Sequence, residues 1–291
     1  MMQTIRDWAS MVKLSHSVFA LPFALAGATF ATRQVGFSWL PWLWIVLAMI
    51  GARNAAMSFN RLVDHRFDAA NPRTQERELP SGRLSRGAVW IATVLLTALF
   101  VFASFQLNPL CGKLSPLALA IIFGYSFTKR FTWASHLVLG LALAISPVGG
   151  WLAIAGSFAL LPWLLALAVL LWVAGFDILY SCQDADHDKE VGLFSIPSRF
   201  GKSRALNIAR FLHFAAWLTL LGVGHVAGAG IAYWIGCGLI GLLLGGQHAM
   251  VRADDLSRVG VAFLNLNATI AILYWVSVVA TVWFDGITRT S

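Results

Sequence analysis

The chain has 291 residues, of which 58% are hydrophobic and only 12% charged, with a formal net charge of +8. A soluble domain carries roughly twice that charged fraction, so a water-soluble globular fold is excluded, and the positive surplus reads as membrane topology rather than nucleic-acid binding. Several apolar stretches reach the roughly 18 residues a helix needs to cross a bilayer, and barrel-type alternation is absent. One all-α integral membrane domain over residues 1–291 is expected.

Residues 1–14 read as a short amphipathic helix on the membrane surface, with no cleavable signal peptide. Nine apolar spans follow, at 16–32, 39–62, 88–107, 114–127, 135–155, 158–182, 205–226, 231–251 and 259–284. The fourth is the shortest. Pro147 and the pair Gly149-Gly150 are expected to loosen or kink the fifth. Cys111, Cys182 and Cys237 lie in apolar sequence without metal-ligand spacing and read as buried or lipid-facing thiols.

Charge fixes the expected orientation. The loops after the second, fourth, sixth and eighth spans hold most of the Arg and Lys, while the opposite face has only Arg33, Lys113 and Arg289. The N-terminus and the charged loops are therefore expected in the cytoplasm, which suits a bacterial inner membrane. Nearly all acidic residues gather on that face too, Asp285 excepted. Both signs at one face point to a polar site.

The second span ends in Asn60, Asp64 and Asp68, at steps of four. A helix places all three on one face. Acids at a helix C-terminus oppose the macrodipole, so this ladder has a use other than helix stability. The sixth span ends in a second group, Asp177, Asp184, Asp186 and Asp188. Mg2+ takes one or two carboxylates and fills its shell with phosphate oxygens and water, so two such clusters suit a diphosphate held by Mg2+. Asn60, Asp64, Asp68, Asp184 and Asp188 are the expected ligands. Asp177, ionisable within apolar sequence, is expected to be a ligand or an orienting group. Asp186, His187 and Glu190 are expected to be solvated.

Arg53 lies seven residues before Asn60 on the same helix face. A buried guanidinium needs an anion. The candidates are a core acid such as Asp177, the diphosphate, or the acidic group of an aromatic substrate. Tyr125, Lys129 and Arg130 close the fourth span, where the two cations could be plain interfacial anchors or could neutralise diphosphate. The stretch from Arg73 through Arg77 to Arg83, with Pro80 and Gly82 as turn residues, looks like an ordered lid. Lys13 and His16 could contact substrate, although an interfacial histidine is the simpler role for His16.

Asn60-Arg-Leu-Val-Asp64-His-Arg-Phe-Asp68 resembles the first aspartate-rich motif of the UbiA-type intramembrane aromatic prenyltransferases. Arg73-Thr74 through Leu79-Pro80-Ser81-Gly82 resembles their Arg-Thr-x-x-Arg-Pro-Leu-Pro-Ser-Gly loop. Tyr125 to Arg130 is similar to their Tyr-x-x-Thr-Lys-Arg segment, and Asp177 to Asp188 to their second aspartate-rich motif. The resemblance implies nine transmembrane helices around a central cavity and transfer of a polyprenyl group from its diphosphate to an aromatic acceptor. It also implies that Arg53, Lys129 and Arg130 occupy substrate-contacting positions.

Glu78 departs from the pattern, standing where the family usually has Pro, and His187 is an addition in the second motif. The string from Lys13 to Phe23 looks more like a branch of the 4-hydroxybenzoate polyprenyltransferases. Some members of that branch are implicated in menaquinone synthesis by the futalosine route, with a dihydroxynaphthoate as acceptor. Two other functions are weighed. The same scaffold can serve another acceptor, such as haem, chlorin or a glycerol phosphate. A cation transporter would place its ion sites at the midplane on interrupted helices, whereas these acids lie at helix ends.

Overall fold

The computed structural model of the chain describes residues 2–13 and 19–284. His16, Asp285 and Arg289 lie outside the described residues. The described part is helical: α1 Met2–Met11, α2 Leu21–Val35, α3 Trp39–Ala70, α4 Arg86–Leu107, α5 Pro109–Thr128, α6 Ser135–Ala155, α7 Leu160–Ser181, α8 Ala185–Glu190, α9 Ile196–Phe200, α10 Lys202–Val226 and α11 Ile231–Met250. A short α12, Val259–Val261, passes through a π-helical stretch, Ala262–Leu266, into α13, Asn267–Trp283. Eight of these segments are long and apolar enough to cross a membrane. The shorter α2 is buried almost throughout, and with it the bundle reaches the nine spans expected.

The helices follow one another around a closed course. α3 packs on α4 and α5, α5 on α6, α6 on α7, α7 on α10, α10 on α11 and α11 on α13. α2 closes the course against α13 and α6. Inside lies an aromatic core: Phe23 stacks on Tyr274 at 5.3 Å and tilts against Trp172 at 5.1 Å, and Trp172 meets Phe176 edge-on at 4.9 Å.

Local chemistry sets the helix limits. α5 starts five residues earlier than its apolar run, because the Asn108 side chain accepts from the Cys111 N–H and Pro109 fits the first turn. α3 has 32 residues, a length of about 48 Å, against roughly 30 Å of hydrocarbon. Its last polar turns therefore extend past the apolar layer.

The stretch of α6 expected to loosen or kink carries a packing device. The helix runs unbroken through Pro147 to Ala155. A Cβ on Gly150 would come within 1.9 Å of the Ala24 carbonyl oxygen, and one on Gly27 within 2.1 Å of the Pro147 oxygen. These glycines let the α2 and α6 backbones touch, as small residues do where helices cross in lipid.

The expectation for α1 is also modified. Met11 and Val12 are buried against Leu62, Leu79, Leu84 and Val89. The C-terminal end of α1 is thus docked onto α3, α4 and the 71–85 loop.

Candidate active site

The first acidic ladder lies as its spacing predicts. Asn60 Nδ2 donates to Asp64 Oδ2 at 2.8 Å, one turn on, and lies 3.5 Å from Ser126 Oγ on α5. Arg130, just past α5, donates to the Val63 carbonyl at 2.8 Å and to Asp64 Oδ1 at 3.3 Å. Asp68 is buried and receives Arg77 of the loop at 2.7 Å, with Arg61 at 3.7 Å.

The second cluster leaves α7 beside the first. Asp184 is gripped by Arg73 through two hydrogen bonds, Nε to Oδ1 at 2.8 Å and Nη2 to Oδ2 at 2.5 Å. Asn71 adds a third at 3.3 Å, and Arg73 also reaches the Tyr180 hydroxyl at 3.1 Å. Burial works to raise the Asp184 carboxyl, but the Arg73 hydrogen bonds and charge overcome it and hold the group below the usual carboxylate range. Asp188 is buried, with one oxygen 3.9 Å from Lys129. Its carboxyl is raised, by burial first and then by Asp184, against the pull of Lys129.

Lys129 joins the two clusters. Burial works to lower its ammonium, yet it is held above its usual value by Asp188, Asp177, Asp184 and Asp64. One cation thus lies within the field of carboxylates from both motifs, 120 residues apart between Asp64 and Asp184. Its backbone ties in as well, the carbonyl accepting from the Phe194 N–H at 2.7 Å. Tyr125 lies one turn back on α5, its carbonyl accepting from Thr128 Oγ1 at 2.7 Å.

Asp177 pairs with a residue that the motifs do not contain. His136, fully buried at the start of α6, meets Asp177 Oδ2 through Nδ1 at 2.6 Å. Its Nε2 accepts from the Ile196 N–H at 3.2 Å, which leaves Nδ1 as the nitrogen that carries hydrogen. A lone His in an apolar span, with an acid alone in another, was the available signal. Arg61, also buried, gives no such signal within its charged motif.

Arg53 meets carbonyls rather than a carboxylate. It donates to the Val12 carbonyl, to the Lys13 carbonyl at 2.7 Å and to Asn54 Oδ1 at 3.1 Å. The guanidinium therefore fastens the turn after α1, where Lys13 has a φ of 51°. Glu78 fastens the same region from the loop: Ser10 Oγ donates to Glu78 Oε1 at 2.6 Å, and Arg83 lies 3.8 Å away. Asp186 is exposed and paired with Lys202 at 2.8 Å. His187, by contrast, buries its Nε2.

The donor set fits a hard divalent cation beside phosphate. Among the described residues no three carboxylate, imidazole or thiol groups converge to hold a metal by themselves. Mg2+ does not require them when phosphate and water complete its shell. The Oδ2 atoms of Asp68 and Asp188 are buried and accept no hydrogen bond. These are carboxylate oxygens with coordination capacity left.

Residues 20–283 match the UbiA prenyltransferase family. The chain belongs to that family. This UbiA-family chain is 31% identical, over 82% of its length and 82% of the relative's, to a 4-hydroxybenzoate octaprenyltransferase of Yersinia pseudotuberculosis. A UbiA homologue from Aeropyrum pernix K1, solved in its apo form, is 34% identical and superposes with a TM-score of 0.84 over 91% of this chain and 97% of that one. A UbiA homologue from Archaeoglobus fulgidus, solved bound to DMAPP and Mg2+, shares the fold at 18% identity, with a TM-score of 0.73 over 94% and 99% of the two chains. The UbiA-family chain is a membrane prenyltransferase.

Proposed function

We propose that the enzyme transfers a polyprenyl group from its diphosphate to an aromatic acid of the 4-hydroxybenzoate or dihydroxynaphthoate type. The reaction serves quinone synthesis and takes place at the cytoplasmic face of a bacterial inner membrane. The observation that carries this reading is that two adjacent cations meet the two acidic motifs, Lys129 3.9 Å from Asp188 and Arg130 3.3 Å from Asp64. A single pocket with acids on two sides and cations between them suits a diphosphate and its metal. The names of the relatives favour a hydroxybenzoate acceptor, and the diphosphate and Mg2+ bound by the Archaeoglobus homologue favour that donor and ion.

Asn60, Asp64, Asp68, Asp184 and Asp188 would hold Mg2+, which supplies electrostatic neutralisation of the leaving diphosphate. Lys129 and Arg130 add fixed positive charge where negative charge builds as the allylic C–O bond breaks. Arg73, once exchanged from Asp184, presents the planar fork that suits phosphate oxygens. Aromatic faces of the core stabilise the allylic cation and exclude water that would quench it. Asp177 accepts the ring proton after attack. Its partner is an imidazole, so its protonation breaks no direct ion pair with Arg or Lys.

The test supplies purified enzyme with Mg2+, a polyprenyl diphosphate and, in parallel, 4-hydroxybenzoate or a dihydroxynaphthoate, with products identified by mass spectrometry. A prenylated aromatic acid is expected from one of the two. Prenylation of a glycerol phosphate with neither aromatic acid accepted would overturn the reading.

A further inference from the structure

A second cavity lies away from the acidic clusters, in the outward seam between α10 and α11. Its volume is about 480 Å3, within the range of roughly 300–1,000 Å3 usual for small-molecule sites. Phe214 and Trp217 form one wall and Leu242 the other. The floor is glycine: a Cβ added to Gly238 or Gly245 would meet no protein atom within 4 Å. The trough exists because these positions carry no side chain.

One end of the trough is polar. Arg210 is exposed there, braced by a 2.5 Å hydrogen bond to Asn207 Oδ1. Beside it stands His248, whose Nε2 lies 2.9 Å from Nδ1 of the buried His213. His213 Nε2 in turn lies 3.1 Å from the Trp172 carbonyl. A carbonyl can only accept, so His213 Nε2 carries the hydrogen, and with this buried ring neutral its Nδ1 accepts from His248 Nε2. His248 Nδ1 is then an acceptor at the trough's polar end. The site thus offers a permanent cation for a phosphate, a neighbouring acceptor for an N–H donor, and an apolar channel running into the bilayer.

We propose that this seam is a binding site for a phospholipid with an ammonium headgroup, phosphatidylethanolamine. Arg210 holds the phosphate, His248 Nδ1 accepts from the ammonium, and one acyl chain lies over Gly238 and Gly245 between Trp217 and Leu242. Both helices are long and apolar enough to cross a membrane, so the trough is open to filling by lipid. Basic pockets between transmembrane helices bind lipid headgroups by this chemistry.

The test uses the purified full-length protein, delipidated in detergent and incubated with dioleoyl phosphatidylethanolamine or dioleoyl phosphatidylcholine, with bound lipid counted by native mass spectrometry. The two lipids share the phosphate, but only the first has N–H donors. Wild-type protein is expected to retain the ethanolamine lipid about fivefold more, the worth of one hydrogen bond. Arg210→Gln is expected to lose about tenfold in retention of both lipids. Gly245→Leu, whose Cβ enters open space, is expected to abolish retention of both lipids while keeping prenyl transfer. Equal retention of the two lipids by wild type, or wild-type retention by either variant, would overturn the proposal. Displacement of the bound lipid by an equimolar prenylated hydroxybenzoate would assign the seam to product and overturn it as well.

Discussion

Arg73 and Asp184 face each other fork to fork, with hydrogen bonds of 2.8 and 2.5 Å between side chains 111 residues apart. Asp68 is held by a single bond, Arg77 Nη1 to Oδ1 at 2.7 Å. The 71–85 loop thus clips onto both acidic motifs through its arginines.

The Arg73 clip has a shape that lysine lacks. Arg73→Lys keeps the charge but loses one of two parallel bonds, and Arg73→Ala loses both. The KM for polyprenyl diphosphate is expected to rise about tenfold in the first variant and further in the second, at a worth of about 1.5–3 kcal/mol for a charged hydrogen bond. Steady-state kinetics at saturating aromatic acceptor measure this.

Asp184 and Asp188 should respond to pH in opposite directions. With its folded value lowered, ionised Asp184 contributes stability above the ordinary carboxylate value of about 4, and that contribution is lost as pH falls through the lowered value. With its folded value raised, Asp188 opposes folding once ionised, and the cost fades as pH falls through the raised value. Asp184→Asn is therefore expected to lower the thermal midpoint at neutral pH, with the deficit shrinking on acidification. Asp188→Asn is expected to hold or raise it at neutral pH, with the gain vanishing on acidification. Thermal unfolding in detergent across pH separates the two.

Gly150 and Gly149 give a matched control for the α2–α6 crossing. Gly150→Ala drives a methyl into the Ala24 backbone, whereas Gly149→Ala points into open space. The first is expected to cost about 1–3 kcal/mol through overpacking, read as a fall in thermal midpoint. The second is expected to leave the midpoint unchanged.

Glu78 couples α1 to the loop. Glu78→Pro installs the residue the family pattern favours and removes the acceptor for Ser10. Tryptic cleavage after Lys13 is expected to quicken about tenfold, as the freed end of α1 opens more often. Wild-type cleavage rates would mean that the buried Met11 and Val12 suffice to hold it.

Much of the frame was legible because lipid imposes it: apolar length alone located the helices, and the step of four put Asn60, Asp64 and Asp68 on one face. What stayed hidden is pairing across the chain. His136 has no local pattern, and its role exists only because α6 packs on α7 and brings Asp177 to it. Arg73 and Arg77 were legible as part of an ordered loop, but not that Asp184 and Asp68 face them. Gly150 was legible as a flexible position, but sequence does not show the Ala24 backbone that its missing Cβ admits. Arg53 also bonds the carbonyls of the turn after α1, a partnership that no residue type announces.

The most direct test of a shared pocket is a double-mutant cycle on binding of a non-hydrolysable prenyl thiodiphosphate with Mg2+, measured by calorimetry for wild type, Asp64→Asn, Asp184→Asn and the double variant. If both acids serve one diphosphate and its metal, the double variant will bind no more weakly than the worse single one, because the site is already lost. Losses that simply add, as for two independent sites, would contradict the convergence of the two motifs.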